Sequence, residues 1–99
     1  MQKQAPYLGM WVTRDGYIRQ ELLPDGRYDE ARGKTKSAYT GSYVIKGNHI
    51  KYRDDSGFSA TGDFMNGVLY HGGHTFYKVD IAPYKENMAT ASISSLMLI

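Results

Sequence analysis

A length of 99 residues allows one domain whose compact core buries roughly two-thirds of the unfolded surface. With 41% hydrophobic residues, 22% charged residues and a formal net charge of +2, the composition argues against global disorder and against a nucleic-acid-binding basic stripe. No cysteine is present, which removes disulfides and thiolate metal sites and fits a reducing cytoplasm. Residues Met1 to Pro6 lack the apolar core of a signal peptide, and no segment has the length of a membrane span. The expected location is therefore cytoplasmic.

Nine Tyr stand against three Phe and one Trp, a balance suited to half-wet β surfaces, where the ring packs and the hydroxyl reaches a polar partner. In chain order, the first strand is expected at Leu8 to Thr13, ending at Asp15-Gly16. The second covers Tyr17 to Leu23 and stops at Pro24-Asp25-Gly26, because Pro presets a turn and removes a ladder donor. The third is Arg27 to Ala31, followed by a polar loop from Arg32 to Ser37 that holds the densest basic spot, Arg32, Lys34 and Lys36. The fourth, Ala38 to Lys46, alternates through Tyr39, Gly41, Tyr43 and Ile45, with Gly41 marking a bend or bulge. The fifth is His49 to Arg53 and the sixth Phe58 to Met65. Asn66-Gly67 supplies the strongest two-residue hairpin signal, and Val68 to His71 and Thr75 to Val79 complete the meander around Gly72-Gly73.

Eight such strands close on themselves, since an open meander leaves two unpaired edges. The fold class is all-β: an eight-stranded antiparallel up-and-down barrel over residues 1–79. A non-barrel tail follows over residues 80–99, ending in the apolar run Leu96-Met97-Leu98-Ile99, which could cap a mouth, pack on a second copy or fray.

Side chains alternate across a strand, so one inward residue fixes its neighbours. Trp11 inside brings Gly9 and Thr13 with it. Apolar alternation adds Ile18, Gln20 and Leu22, leaving Arg19 and Glu21 outside, and then Tyr28 and Glu30, with Arg27 and Asp29 outside. Tyr43, Ile45, Ile50, Tyr52, Phe58, Phe64, Leu69, His71 and Tyr77 complete the expected interior.

That interior is more polar than a structural core requires. A buried carboxylate at Glu30 needs a donor, a proton or water. Either it pairs with Arg32 or Arg19 at a rim and ties strands together, or it belongs to a convergent polar set in an apolar cup, as ligand sites do. Glu30 with His71 could also form an acid–base pair, suiting an isomerase, a dehydratase or a cyclase. His71-Gly-Gly-His74 resembles a metal motif, but the two rings need not share a face, and only His49 and scattered carboxylates could complete a zinc sphere. No metal, cofactor or catalytic residue is assigned. A Tyr-rich barrel stacking on single-stranded nucleic acid is a further alternative, countered by aromatics that point inward and acids that match the basic residues.

Gly9-Met10-Trp11 is similar to the G-x-W signature that opens the first strand of lipocalins and to the start of streptavidin-like barrels. The longer stretch from Trp11 to Gly33, with the run Arg27-Tyr-Asp-Glu-Ala-Arg32, resembles a small bacterial family first described from Agrobacterium. Ser37 to Tyr43, Asp54 to Phe58 and His71 to Gly73 extend the resemblance over roughly residues 7 to 78. It implies a streptavidin-like barrel with a ligand-binding role and no established reaction. Arg27 to Arg32 and His71 follow the family pattern; His74 departs from it, and the tail after Val79 lies outside.

The expected function is a small-molecule-binding barrel, monomeric or a small homo-oligomer, with no nucleic-acid or membrane partner. Its ligand is small and partly apolar, held in the lumen or at one mouth. Trp11, Tyr52 and Phe64 would form the apolar walls, with Gln20, Tyr28, Glu30, Tyr43, His71 and Tyr77 as further contacts. Side chains fill most of so small a barrel, so the pocket is small or lies at a mouth.

Overall fold

Positive backbone φ angles fall where the turn pairs require them. Asn66 and Gly67 have φ of 53° and 77°, and Gly72 and Gly73 have 61° and 78°, the two-residue geometry that matches strand twist. The computed structural model describes residues 6–79, and their strands follow one another around a closed antiparallel barrel. These are β1 (Gly9–Thr13), β2 (Ile18–Leu22), β3 (Arg27–Arg32), β4 (Thr35–Lys46), β5 (His49–Asp54), β6 (Ser59–Met65), β7 (Val68–His71) and β8 (His74–Val79). Closure comes from β1 pairing with β8, Trp11 opposite Lys78 and Thr13 opposite Phe76. Neither edge is left unpaired. No helix among the described residues is long and apolar enough to cross a membrane.

The core runs along the barrel axis: Trp11, Ile18, Leu22, Tyr28, Tyr43, Ile50, Tyr52, Phe64, Leu69 and Phe76. One end is shut. Tyr7 stacks on Phe64 with ring centroids 3.9 Å apart, and the Trp11 indole donates to the Tyr7 carbonyl at 2.9 Å. Tyr43 donates its hydroxyl to the Leu23 carbonyl at 2.6 Å, tying β4 to the β2–β3 turn.

Three expectations need correction, and the placement of His71 and His74 is settled. Residues 35–37 are not loop: β4 is 12 residues long and starts at Thr35, so the β3–β4 arm turns on Gly33 and Lys34 alone. These residues are exposed, so no apolar alternation marks the strand. Tyr77 faces outward at 36% exposure while its neighbour Phe76 is buried at 1%, because Phe76 opposes the inward Thr13. Phe58 lies just before β6, held by its backbone N–H to Asp54 Oδ1 at 3.0 Å, and is 76% exposed. Its alternation with Gly62 and Phe64 is as expected, but the strand has risen past the rim. His71 and His74 are directly opposed across the β7–β8 hairpin, so they share a face; among the described residues no three His, Asp or Glu gather as metal ligands.

Gly41 is needed for close approach rather than for a bulge. A Cβ there would lie 2.3 Å from the Arg53 carbonyl oxygen and 2.6 Å from Asp54 Cα. The register shift lies nearer the start of β4, where residues 36–38 stand against Ala31 alone and Ser37 has a φ of 50°. The expected tail over residues 80–99, with its three possible roles, lies outside the described residues.

Candidate functional site

The β2–β3 ladder sets Gln20 directly opposite Glu30, and both side chains are buried, at 0% and 3% exposure. A buried carboxylate survives only with donors around it, and two are supplied. Gln20 Nε2 donates to Glu30 Oε1 at 2.8 Å, and Arg32 Nε donates to Glu30 Oε2 at 2.9 Å. From β5, the Tyr52 hydroxyl donates to Gln20 Oε1 at 2.7 Å. The chain Tyr52–Gln20–Glu30–Arg32 thus runs across the barrel with every donor directed toward the carboxylate. Ordinary strand alternation places Arg32 on the same side as Glu30, where its guanidinium carbon stands 4.9 Å over the Tyr39 ring.

Above this chain, at the end opposite Tyr7, the barrel opens into a cavity of about 120 Å3. Tyr28, Tyr39, Tyr52 and Phe58 form its aromatic walls, and Glu30, Arg32, Asp54 and His71 its polar border. Tyr28 meets Tyr52 edge-on with centroids 5.2 Å apart, and Tyr52 packs on the His71 imidazole at 4.3 Å. His71 Nδ1 lies 3.0 Å from the Thr61 carbonyl oxygen. A carbonyl only accepts, so Nδ1 carries the hydrogen and Nε2 is the ring's remaining nitrogen. Asp54 Oδ1 takes the Ser56 and Phe58 backbone N–H groups, each at 3.0 Å, and the Ser56 hydroxyl at 2.7 Å. Those bonds, the Ser56 hydroxyl foremost, hold its carboxyl below the ordinary value.

Burial pushes the Tyr28 phenol up to about 12, with the Asp54 and Glu30 carboxylates adding to it. Tyr52 is raised further, by burial first and then by Glu30. Both phenols are therefore neutral hydroxyls at physiological pH. A larger hollow of about 470 Å3 lies on the outer face of β4, β5 and β6, around Val44, Lys51, Arg53 and Thr61. It is wide and shallow.

The family profile described as Agrobacterium tumefaciens protein Atu4866 matches residues 4–78. The chain belongs to the Atu4866 family. The solution structure of the protein Atu4866 from Agrobacterium tumefaciens is similar at 64% identity and a TM-score of 0.67, covering 73% of this chain and 92% of that one. No curated protein matches the chain.

In this member of the Atu4866 family, four of the residues expected to form a site come together at the open mouth: Tyr28, Glu30, Tyr52 and His71. Gln20 lies beneath them as the bridging amide. Trp11, Tyr43 and Phe64 belong instead to the filled interior, with Trp11 and Phe64 tied to Tyr7 at the shut end. Tyr77 is outside, where its hydroxyl accepts from Arg14 Nη2 at 3.1 Å. Sequence reasoning missed Arg32, Tyr39 and Asp54 as cavity residues. Tyr39 could have been found from register, since it opposes Glu30 in the β3–β4 ladder. Arg32 was expected as one of two possible partners of Glu30, and the ion pair is formed, but beside Lys34 and Lys36 it reads as part of a solvated basic loop rather than as a cavity residue.

Proposed function

We propose that this protein binds a small, partly apolar molecule at the open mouth of its barrel. One observation supports the reading most: aromatic walls and a buried, fully directed polar chain converge on a cavity at one end, while the other end is plugged. Burying Gln20 and Glu30 carries a desolvation cost that apolar groups of similar volume avoid. Drug-sized sites run to roughly 300–1,000 Å3, so a cavity of about 120 Å3 suits a ring with one substituent. Acid–base catalysis by Glu30 and His71 is the weaker reading. The two border one cavity, but both Glu30 oxygens already accept from Gln20 and Arg32.

The test is native mass spectrometry of freshly purified protein, followed by a fragment screen on 15N-labelled protein. The expected result is a co-purified small mass, or fragments that shift the Glu30, Tyr52 and His71 signals saturably. A broad fragment library that leaves those signals unmoved would overturn the reading.

A further inference from the structure

Hydrogen-bonding capacity is left unmet at the mouth by donors and acceptors alike. Tyr28 is 94% buried, being 6% exposed, and lines the cavity, yet its hydroxyl has no hydrogen-bond partner among the described residues. Buried hydroxyls are rarely left so, because an unsatisfied group forfeits its bond to water without replacement. Arg32 spends only its Nε on Glu30. Its Nη1 and Nη2 make no hydrogen bond among the described residues, while the ion pair and the Tyr39 ring fix the guanidinium plane. Of the acceptors nearby, Glu30 is served by Gln20 and Arg32 and Asp54 Oδ1 by its own turn, while Asp54 Oδ2 and His71 Nε2 take no hydrogen bond among the described residues. The open guanidinium edge of Arg32 beside a planar aromatic wall matches a planar carboxylate in geometry.

Resting on the binding function proposed above, we infer that the mouth cavity takes a small planar carboxylate, such as an aromatic or conjugated acid. Tyr28 and the outer nitrogens of Arg32 bond its carboxylate, and its ring lies against Tyr52 and Phe58. Arg32 is thereby shared between two carboxylates, the resident Glu30 and the ligand.

Benzoate, benzyl alcohol and benzylammonium present one ring with an anionic, a neutral and a cationic head, and each is titrated into 15N-labelled protein. Benzoate is expected to bind at least about 10-fold more tightly than the other two, with the largest shifts at Tyr28, Arg32 and Tyr52. Tyr28→Phe and Arg32→Lys should each weaken benzoate by about 10-fold or more, the loss of a hydrogen bond to a charged group, while benzyl alcohol changes little. Unchanged spectra away from the cavity certify that both variants fold. Equal or tighter binding of benzylammonium or benzyl alcohol overturns the carboxylate inference and leaves the binding function standing. Benzoate binding that neither substitution weakens overturns it too, as does no binding of any of the three. In that last case hits elsewhere in the fragment screen still support a binding function.

Discussion

Gln20 stands across the β2–β3 ladder from Glu30 and joins it to Tyr52, its nitrogen 2.8 Å from the carboxylate and its oxygen 2.7 Å from the phenol. One amide therefore satisfies a buried acid and a buried hydroxyl together. Gln20→Leu removes both contacts and is expected to cost about 2–4 kcal/mol, since two buried groups lose partners. Tyr52→Phe removes only one and should cost about 1 kcal/mol. Urea denaturation of both single variants and the double variant should yield a coupling energy near 1 kcal/mol. Additive effects would mean that the three groups do not act as a chain.

Gly41 and Gly47 should respond oppositely to space and backbone. At Gly41 an added Cβ meets backbone atoms within 2.6 Å, which neither β4 nor β5 can move without breaking their ladder. Gly41→Ala is expected to cost about 3 kcal/mol. At Gly47 nothing lies within 4 Å, but φ is +60°, so Gly47→Ala should cost about 1–2 kcal/mol from left-handed strain alone. Chemical denaturation of the two variants checks the order.

Alkaline titration should separate the tyrosines. Tyr28, at about 12 in the folded protein, ionises near 10 when unfolded. Its contribution to stability is complete below pH 10 and is lost as pH rises toward 12, because the unfolded chain ionises first. Absorbance at the phenolate band should show a late-titrating class that shrinks in Tyr28→Phe. A single transition near pH 10 would contradict the burial described.

Asp55 works in the acid range. The Arg27 guanidinium bonds it at 2.9 and 2.8 Å, and with the Thr40 hydroxyl it draws the carboxyl down to about 2. A depressed folded value contributes stability above the unfolded value of about 3.9, which is lost as pH falls toward 2. Stability of Asp55→Asn, measured from pH 7 to pH 2.5, should therefore fall less steeply with acid than that of the wild type.

Turn chemistry and period-two alternation carried most of the fold, since Asn66-Gly67 and Gly72-Gly73 tolerate the positive φ that a tight hairpin needs and Ile18, Gln20 and Leu22 bury together. Legibility failed where those signals vanish. Thr35 to Ser37 are polar on both faces because that arm of β4 projects past the barrel, and a solvated strand has the composition of a loop. Phe76 and Tyr77 are adjacent aromatics, so hydrophobicity could not choose between them; the choice is made by Thr13 on the neighbouring β1. At the site, Glu30 was visible as a buried charge and Arg32, two residues on along the same face, as one of its two candidate partners; Tyr39 and Asp54 became cavity residues only through the pairing of β4 with β3 and β5.

The plug at Tyr7 also decides what the lone indole can report. Trp11 leans on Phe64 with centroids 5.2 Å apart and bonds the Tyr7 backbone, so its emission gauges how firmly the amino-terminal stopper is seated. A guest arriving through the far door would leave that glow almost unaltered, and quenching would instead announce that the bung had been drawn.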